Sequence, residues 1–117
     1  MLGQAYKDLI VWQKSIILVK EIYKITRILP PIEDRGLKSQ MQRSAISIPS
    51  NIAEGRKRGT RKDFTNFLRI ANGSLAELET QLIIAKELYS LKETSTAEGL
   101  LEEVAKMLSV MIGKMSA

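Results

Sequence analysis

The chain has 117 residues, 44% of them hydrophobic and 26% charged, with a net charge of +5. That composition suits one globular domain with a single core and excludes a disordered chain. Cysteine and histidine are both absent, so disulfides, Cys/His zinc sites, Ser-His-Asp triads, cysteine nucleophiles and Glu-x-x-His di-iron sites are excluded. Helical ribonucleases that rely on a histidine are excluded with them. Enzyme chemistry would have to run on carboxylates, Lys, Ser or Tyr alone, and no constellation of these is evident. Glu77 and Glu79, one residue apart, point to different faces of a helix and form no carboxylate dyad. The expectation is therefore a non-enzyme with no cofactor and no metal. No apolar run approaches the roughly 20 residues that span a bilayer. The N-terminus lacks the layout of a signal peptide, and the cytoplasm is the default location.

Aromatics are only 5% of the chain and period-two alternation is missing, so an aliphatic, helical core is expected. The first helix is placed at about residues 8–28, with Asp8 as its N-cap and Pro30-Pro31 as its stop. Leu9, Trp12, Ile16, Val19 and Tyr23 form its main seam, which makes Trp12 a core residue. Val11, Leu18, Ile22 and Ile25 line a second face, with Ile10, Ile17 and Ile28 beyond it. A surface helix needs about 100° of apolar arc; this one has more, and a second copy of the chain would cover the excess. The second helix is placed at 36–55, followed by a turn over Gly55 to Gly59.

Thr60 caps the third helix, with Asp63 in the reciprocal capping-box position. This helix, at 60–90, shows the clearest periodicity: Phe64, Leu68, Ala71, Leu75, Leu78, Leu82, Ala85 and Tyr89, with Phe67, Ile70, Ile83 and Ile84 broadening the stripe at each end. Gly73, within it, is read as permitting close approach of a neighbouring helix. Ser95 with Glu98 caps a last helix at 96–115, on which Leu101, Val104, Leu108, Met111 and Met115 step by three and four. Met107, Met111 and Met115 fill the core. Four such helices with short connections give a single all-α domain, an antiparallel up-down four-helix bundle.

Gln40 to Gly55 organises the chain. Its apolar stripe is Leu37, Met41, Ala45, Ile48 and Ile52, and its second stripe is polar: Gln40, Arg43, Ser47, Asn51 and Glu54. Pro49 interrupts the helix at a cost of about 3 kcal/mol. Both stripes stay in register past it, so a kink rather than a break is expected. The third helix offers Ser74, Glu77 and Gln81 opposite the polar stripe. A structural hydrogen-bond network among these groups follows, with Arg43 paired to Glu77 or Glu54 within or between subunits.

The charge is uneven. Residues 1–55 carry eight basic and five acidic side chains (+3), residues 56–62 five basic and none acidic (+5), and residues 63–117 five basic and eight acidic (−3). Arg56, Lys57, Arg58, Arg61 and Lys62, with Lys38 and Arg43 as outliers, are the candidate contacts to RNA or DNA phosphates. A solvated turn that only aids solubility is the alternative.

Ser47-Ile48-Pro49-Ser50-Asn51-Ile52-Ala53-Glu54-Gly55 and Gly73-Ser74-Leu75-Ala76-Glu77-Leu78-Glu79-Thr80-Gln81-Leu82 resemble the signature segments of the bacterial four-helix-bundle family named after proteins encoded in intervening sequences of 23S ribosomal RNA. Asp8-Leu9-Ile10-Val11-Trp12 is similar to the family's start, and Gln40-x-x-Arg43 precedes the proline motif as in the family. Arg56 to Lys62 departs most from the pattern, although Arg58, Thr60 and Phe64 fall in place. The resemblance implies a left-handed bundle assembling as a homopentameric barrel. It further implies kinship with the accessory proteins of diversity-generating retroelements, basic barrels that bind nucleic acid and a reverse transcriptase. No catalytic residue is carried over. Two roles stay open: phosphate binding through the basic turn, or a scaffold that docks a protein such as a reverse transcriptase, with the basic turn as its docking surface, without touching nucleic acid.

Overall fold

A computed structural model of the protein describes residues 5–116. It contains four helices, α1 (Ile10–Thr26), α2 (Leu37–Arg58), α3 (Arg61–Tyr89) and α4 (Ser95–Ser116), and short 3-10 turns at Tyr6–Asp8 and Pro31–Glu33. No strand occurs among the described residues. Each helix packs on its chain neighbour, and α4 returns to α1. Contacts between opposite ends show that neighbours run antiparallel: Gln42 near the start of α2 donates to Thr26 at the end of α1, and Lys86 late in α3 pairs with Glu98 early in α4. The longest dimension is 46 Å, close to the roughly 1.5 Å per residue that a 29-residue helix supplies.

The core forms where the stripes of α2, α3 and α4 meet: Met41, Ile48, Ile52, Phe64, Leu68, Leu78, Val104 and Leu108 are all buried. On α1 the expected order of faces is reversed. The buried side is Val11, Ser15, Leu18, Ile22, Ile25 and Thr26, whereas Trp12, Ile16 and Val19 are half-buried and Tyr23 is exposed. Trp12 stands at the edge of the core, its ring 5.4 Å from that of Tyr6. The cause lies in two hydroxyls. Ser15 donates to the Trp12 carbonyl at 2.7 Å and Thr26 to the Tyr23 carbonyl at 3.2 Å, so both side chains satisfy themselves within the helix and enter an apolar face.

Several helix ends also differ from expectation. Asp8 closes the first 3-10 turn, and the N-cap of α1 is Leu9, with no side-chain bond. Thr94, not Ser95, works at the start of α4, donating its hydroxyl to Glu98 at 2.9 Å. α2 runs through the buried Pro49 without a break and continues to Arg58. It passes Gly55 because that residue does not terminate the helix. A β-carbon at Gly55 would overlap Phe67 Cβ and crowd the Phe64 ring, so glycine is what lets α3 come this close. Gly73, expected to play that part, faces open space. The true stop is Gly59, left-handed at φ 84°.

Candidate nucleic-acid interface

The end of α2, Gly59 and the first turn of α3 form one rigid corner. Thr60 Oγ1 accepts the Asp63 amide at 3.1 Å, which fixes where α3 begins. Across the corner, the Arg56 guanidinium lies 5.2 Å from the centre of the Phe64 ring and that of Arg58 5.1 Å from Phe67. Both are cation–π contacts. Arg58 also pairs with Glu54 at 3.0 Å. Arg56 is half-buried, and that burial lowers its pKa from the usual guanidinium value; a guanidinium is still charged at neutral pH.

Lys57, Arg61 and Lys62 are exposed, and among the described residues none of them has an ion-pair partner. They flank the start of a 29-residue helix, where first-turn amides and the helix dipole already favour an anion. Thus the five basic residues divide. Arg56 and Arg58 brace the corner, Arg58 while still exposed, and Lys57, Arg61 and Lys62 face solvent. The phenylalanines that brace it escaped the sequence reading, although Gly55-Arg56-x-Arg58 followed by Phe64-x-x-Phe67 carries the signal.

Lys38 does not join them. It sits in the first turn of α2, paired with Asp34 at 3.6 Å, roughly 30 Å along the helix from Arg58 by the usual rise per residue. Arg43 is exposed on the polar side of α2 and has no ion pair among the described residues, so neither Glu54 nor Glu77 of the same chain holds it.

Of the polar groups placed between α2 and α3, three meet. Ser47 and Ser74 hydroxyls are 2.7 Å apart, and Asn51 Nδ2 donates to the Ser47 carbonyl at 2.8 Å and to its hydroxyl at 2.9 Å. Gln40, Glu54 and Glu77 are exposed instead. The Gln81 Oε1 atom is buried and has no hydrogen-bond donor. Gln40, Glu54 and Glu77 reach water from these positions, while the short Ser47, Asn51 and Ser74 bond to one another. No group of three acidic residues is arranged to hold a metal ion among the described residues, and no helix is long and apolar enough to cross a membrane.

This is a four-helix, all-α protein with one basic corner. Residues 7–110 match the family described as 23S rRNA-intervening sequence protein, and the chain belongs to that family. Its fold is similar to the crystal structure of a protein of unknown function from the S23 ribosomal protein family of Bacteroides thetaiotaomicron VPI-5482. The TM-score is 0.79 at 24% identity, over 88% of this chain and 98% of that one. No curated protein matches the sequence.

Proposed function

We propose that the protein is a non-enzymatic, self-assembling four-helix bundle that binds RNA or DNA phosphates at its basic corner. The observation that carries this reading is the exposed trio Lys57, at the end of α2, and Arg61 and Lys62, at the start of α3, none of which has an ion pair among the described residues. Arg56 and Arg58, held on Phe64 and Phe67, stiffen the corner that presents them. Such contacts grip phosphates and read no bases, so binding is salt-sensitive and weakly selective. In the homopentameric barrel that the family resemblance implies, several corners would surround one axis and bind a polyanion with avidity. Pro49, which leaves the Ala45 carbonyl without its amide donor, is read as bending α2.

The second reading is a scaffold that docks a protein partner without direct nucleic-acid contact. Its support is the apolar surface at the far end, where Ile28, Ile32 and Leu88 are exposed. Light scattering followed by gel shifts with structured RNA and duplex DNA at low and moderate salt separates the two. Phosphate binding predicts a steep loss of affinity with salt, about 0.9 logarithmic units per contact for each tenfold rise in salt on duplex DNA, and loss of the shift in a Lys57/Arg61/Lys62→Glu variant. An assembled protein with no shift at low salt overturns the phosphate reading and favours the scaffold.

A further inference from the structure

The basic surface does not stop at the corner. Two turns further along α3 stands Arg69, exposed and without an ion pair among the described residues. A helix brings residues seven apart back to the same side, so Lys62 and Arg69 share one stripe, with the exposed Asn66 between them. Nothing acidic offsets the charge there. α3 carries no acidic side chain between Asp63 and Glu77, and α4, which ends beside Arg69, carries none after Glu103. Arg69 is also held in place. One of its terminal nitrogens donates to the Ser116 hydroxyl at 2.8 Å, and Ser116 in turn donates to the Ile112 carbonyl at 2.6 Å. A guanidinium has five N–H donors, so this bond fixes the head group and leaves its charge uncancelled.

The aromatic rings decide which kind of strand this surface suits. Proteins that bind unpaired strands offer open rings on which bases stack. Phe64 is 1% exposed and lies under Arg56, and Phe67 is half-buried against Gly55 and under Arg58. Tyr6 and Trp12 pack edge to face in the groove between α1 and α2. Tyr23 and Tyr89 lie near the far ends of α1 and α3. These are all the aromatic residues of the chain, and they leave no open ring on the Lys62–Arg69 side of α3.

We propose that this surface takes double-stranded DNA, and that Arg69 is its outermost phosphate contact. The proposal rests on the phosphate reading of the corner and adds to it the class of strand and one residue. Lys62 and Arg69 stand about 10 Å apart along the axis at 1.5 Å per residue, and a rigid helix keeps them so. A B-form duplex presents phosphates at a fixed separation of similar size, about 12 Å across its major groove. The major groove of an A-form RNA duplex is deep and narrow instead. An unpaired strand has no fixed spacing to match and finds no ring to stack on.

The test is fluorescence anisotropy of the full chain against a short DNA duplex, each of its separate strands, and an RNA duplex of the same sequence, over a salt series. With Lys57, Arg61, Lys62 and Arg69 as contacts, counterion release alone favours the DNA duplex over its strands about sixfold at about 0.1 M salt. Arg69→Gln should weaken duplex binding about eightfold at that salt and lower the slope of log affinity against log salt by about 0.9. Arg69→Lys, which keeps the charge, should keep the slope. Lys92→Gln removes an exposed lysine without an ion pair in the turn before α4, and should change neither affinity nor slope. Separate strands or duplex RNA bound as tightly as duplex DNA overturn the proposal. So does a wild-type slope in Arg69→Gln, or an equal loss in Arg69→Lys or Lys92→Gln. In each of those cases loss of binding in Lys57/Arg61/Lys62→Glu still upholds the corner itself. No binding of any strand at low salt fails the phosphate reading, and this proposal with it.

Discussion

Where α2 hands over to α3, guanidinium groups lie on the rings of Phe64 and Phe67; at the far end of the molecule carboxylates join the helices. There Glu33 accepts the Tyr89 hydroxyl and the Leu37 amide, Lys86 pairs with Glu98 and Lys38 with Asp34. Both ends solve the same problem, holding helix termini in register across a turn. The electrostatic consequences differ. At the far end Glu98 and Asp34 offset the charges of Lys86 and Lys38, whereas at the corner the phenylalanine rings add no negative charge and Glu54 offsets Arg58. The basic corner can therefore be stiff and electropositive together, which is what a phosphate-binding surface needs.

The two ends differ in their αL caps too. Gly59 sits at φ 84° and Ser90 at φ 51°. Glycine adopts that region freely and serine does not.

The largest expected effect is at the basic corner. Gly55→Val puts a branched side chain into Phe67 and Phe64 and should destabilise the protein by about 1–3 kcal/mol, measured by urea unfolding. An unchanged midpoint would mean that the close approach of α2 and α3 does not hold in solution. Gly59→Ala should cost about 1 kcal/mol through its left-handed backbone, while Ser90→Gly at the other end should gain a few tenths of that. Effects of equal sign would erase the contrast between the caps. Arg58→Met, which keeps length but loses charge, should cost about 0.5–1 kcal/mol, the range of an exposed cation–π contact.

The smallest effect concerns pH at the far end. The Tyr89 hydroxyl, then the Leu37 amide, hold the Glu33 carboxyl below its usual range, and the bond to Glu33 raises the Tyr89 phenol. A lowered carboxyl gives stability that is present above its unfolded pKa and lost as pH falls through the folded value. The raised phenol gives stability that is present below its unfolded pKa and lost as pH rises through the folded value. Glu33→Gln should therefore lower Tm at neutral pH, with the gap to the wild type closing on acidification below the carboxylate range. A gap independent of pH would assign the effect to packing.

Much of the fold was legible in the chain itself. The 3-4 periodicity of Phe64 to Ala85 marks a helix whose central stripe is buried as expected, because one face of a regular helix must leave water as a unit, whereas Ile70, Ile83 and Ile84, expected to broaden that stripe, are exposed. The long signature segments around Pro49 and Gly73 pointed to the family, and the matched residues 7–110 bear that out. The concentration of positive charge in residues 56–62 is likewise a property of composition.

Other features needed the folded chain. Which side of α1 is buried depended on Ser15 and Thr26 satisfying their hydroxyls within the helix, a bond that polarity scales do not register. Gly55 and Gly73 look alike in sequence, and only the approach of Phe67 makes one a contact and leaves the other open. Nor does the sequence separate the five basic residues of the corner. Periodicity and composition are set along the chain, whereas a guanidinium becomes a brace only when another helix brings an aromatic ring beneath it.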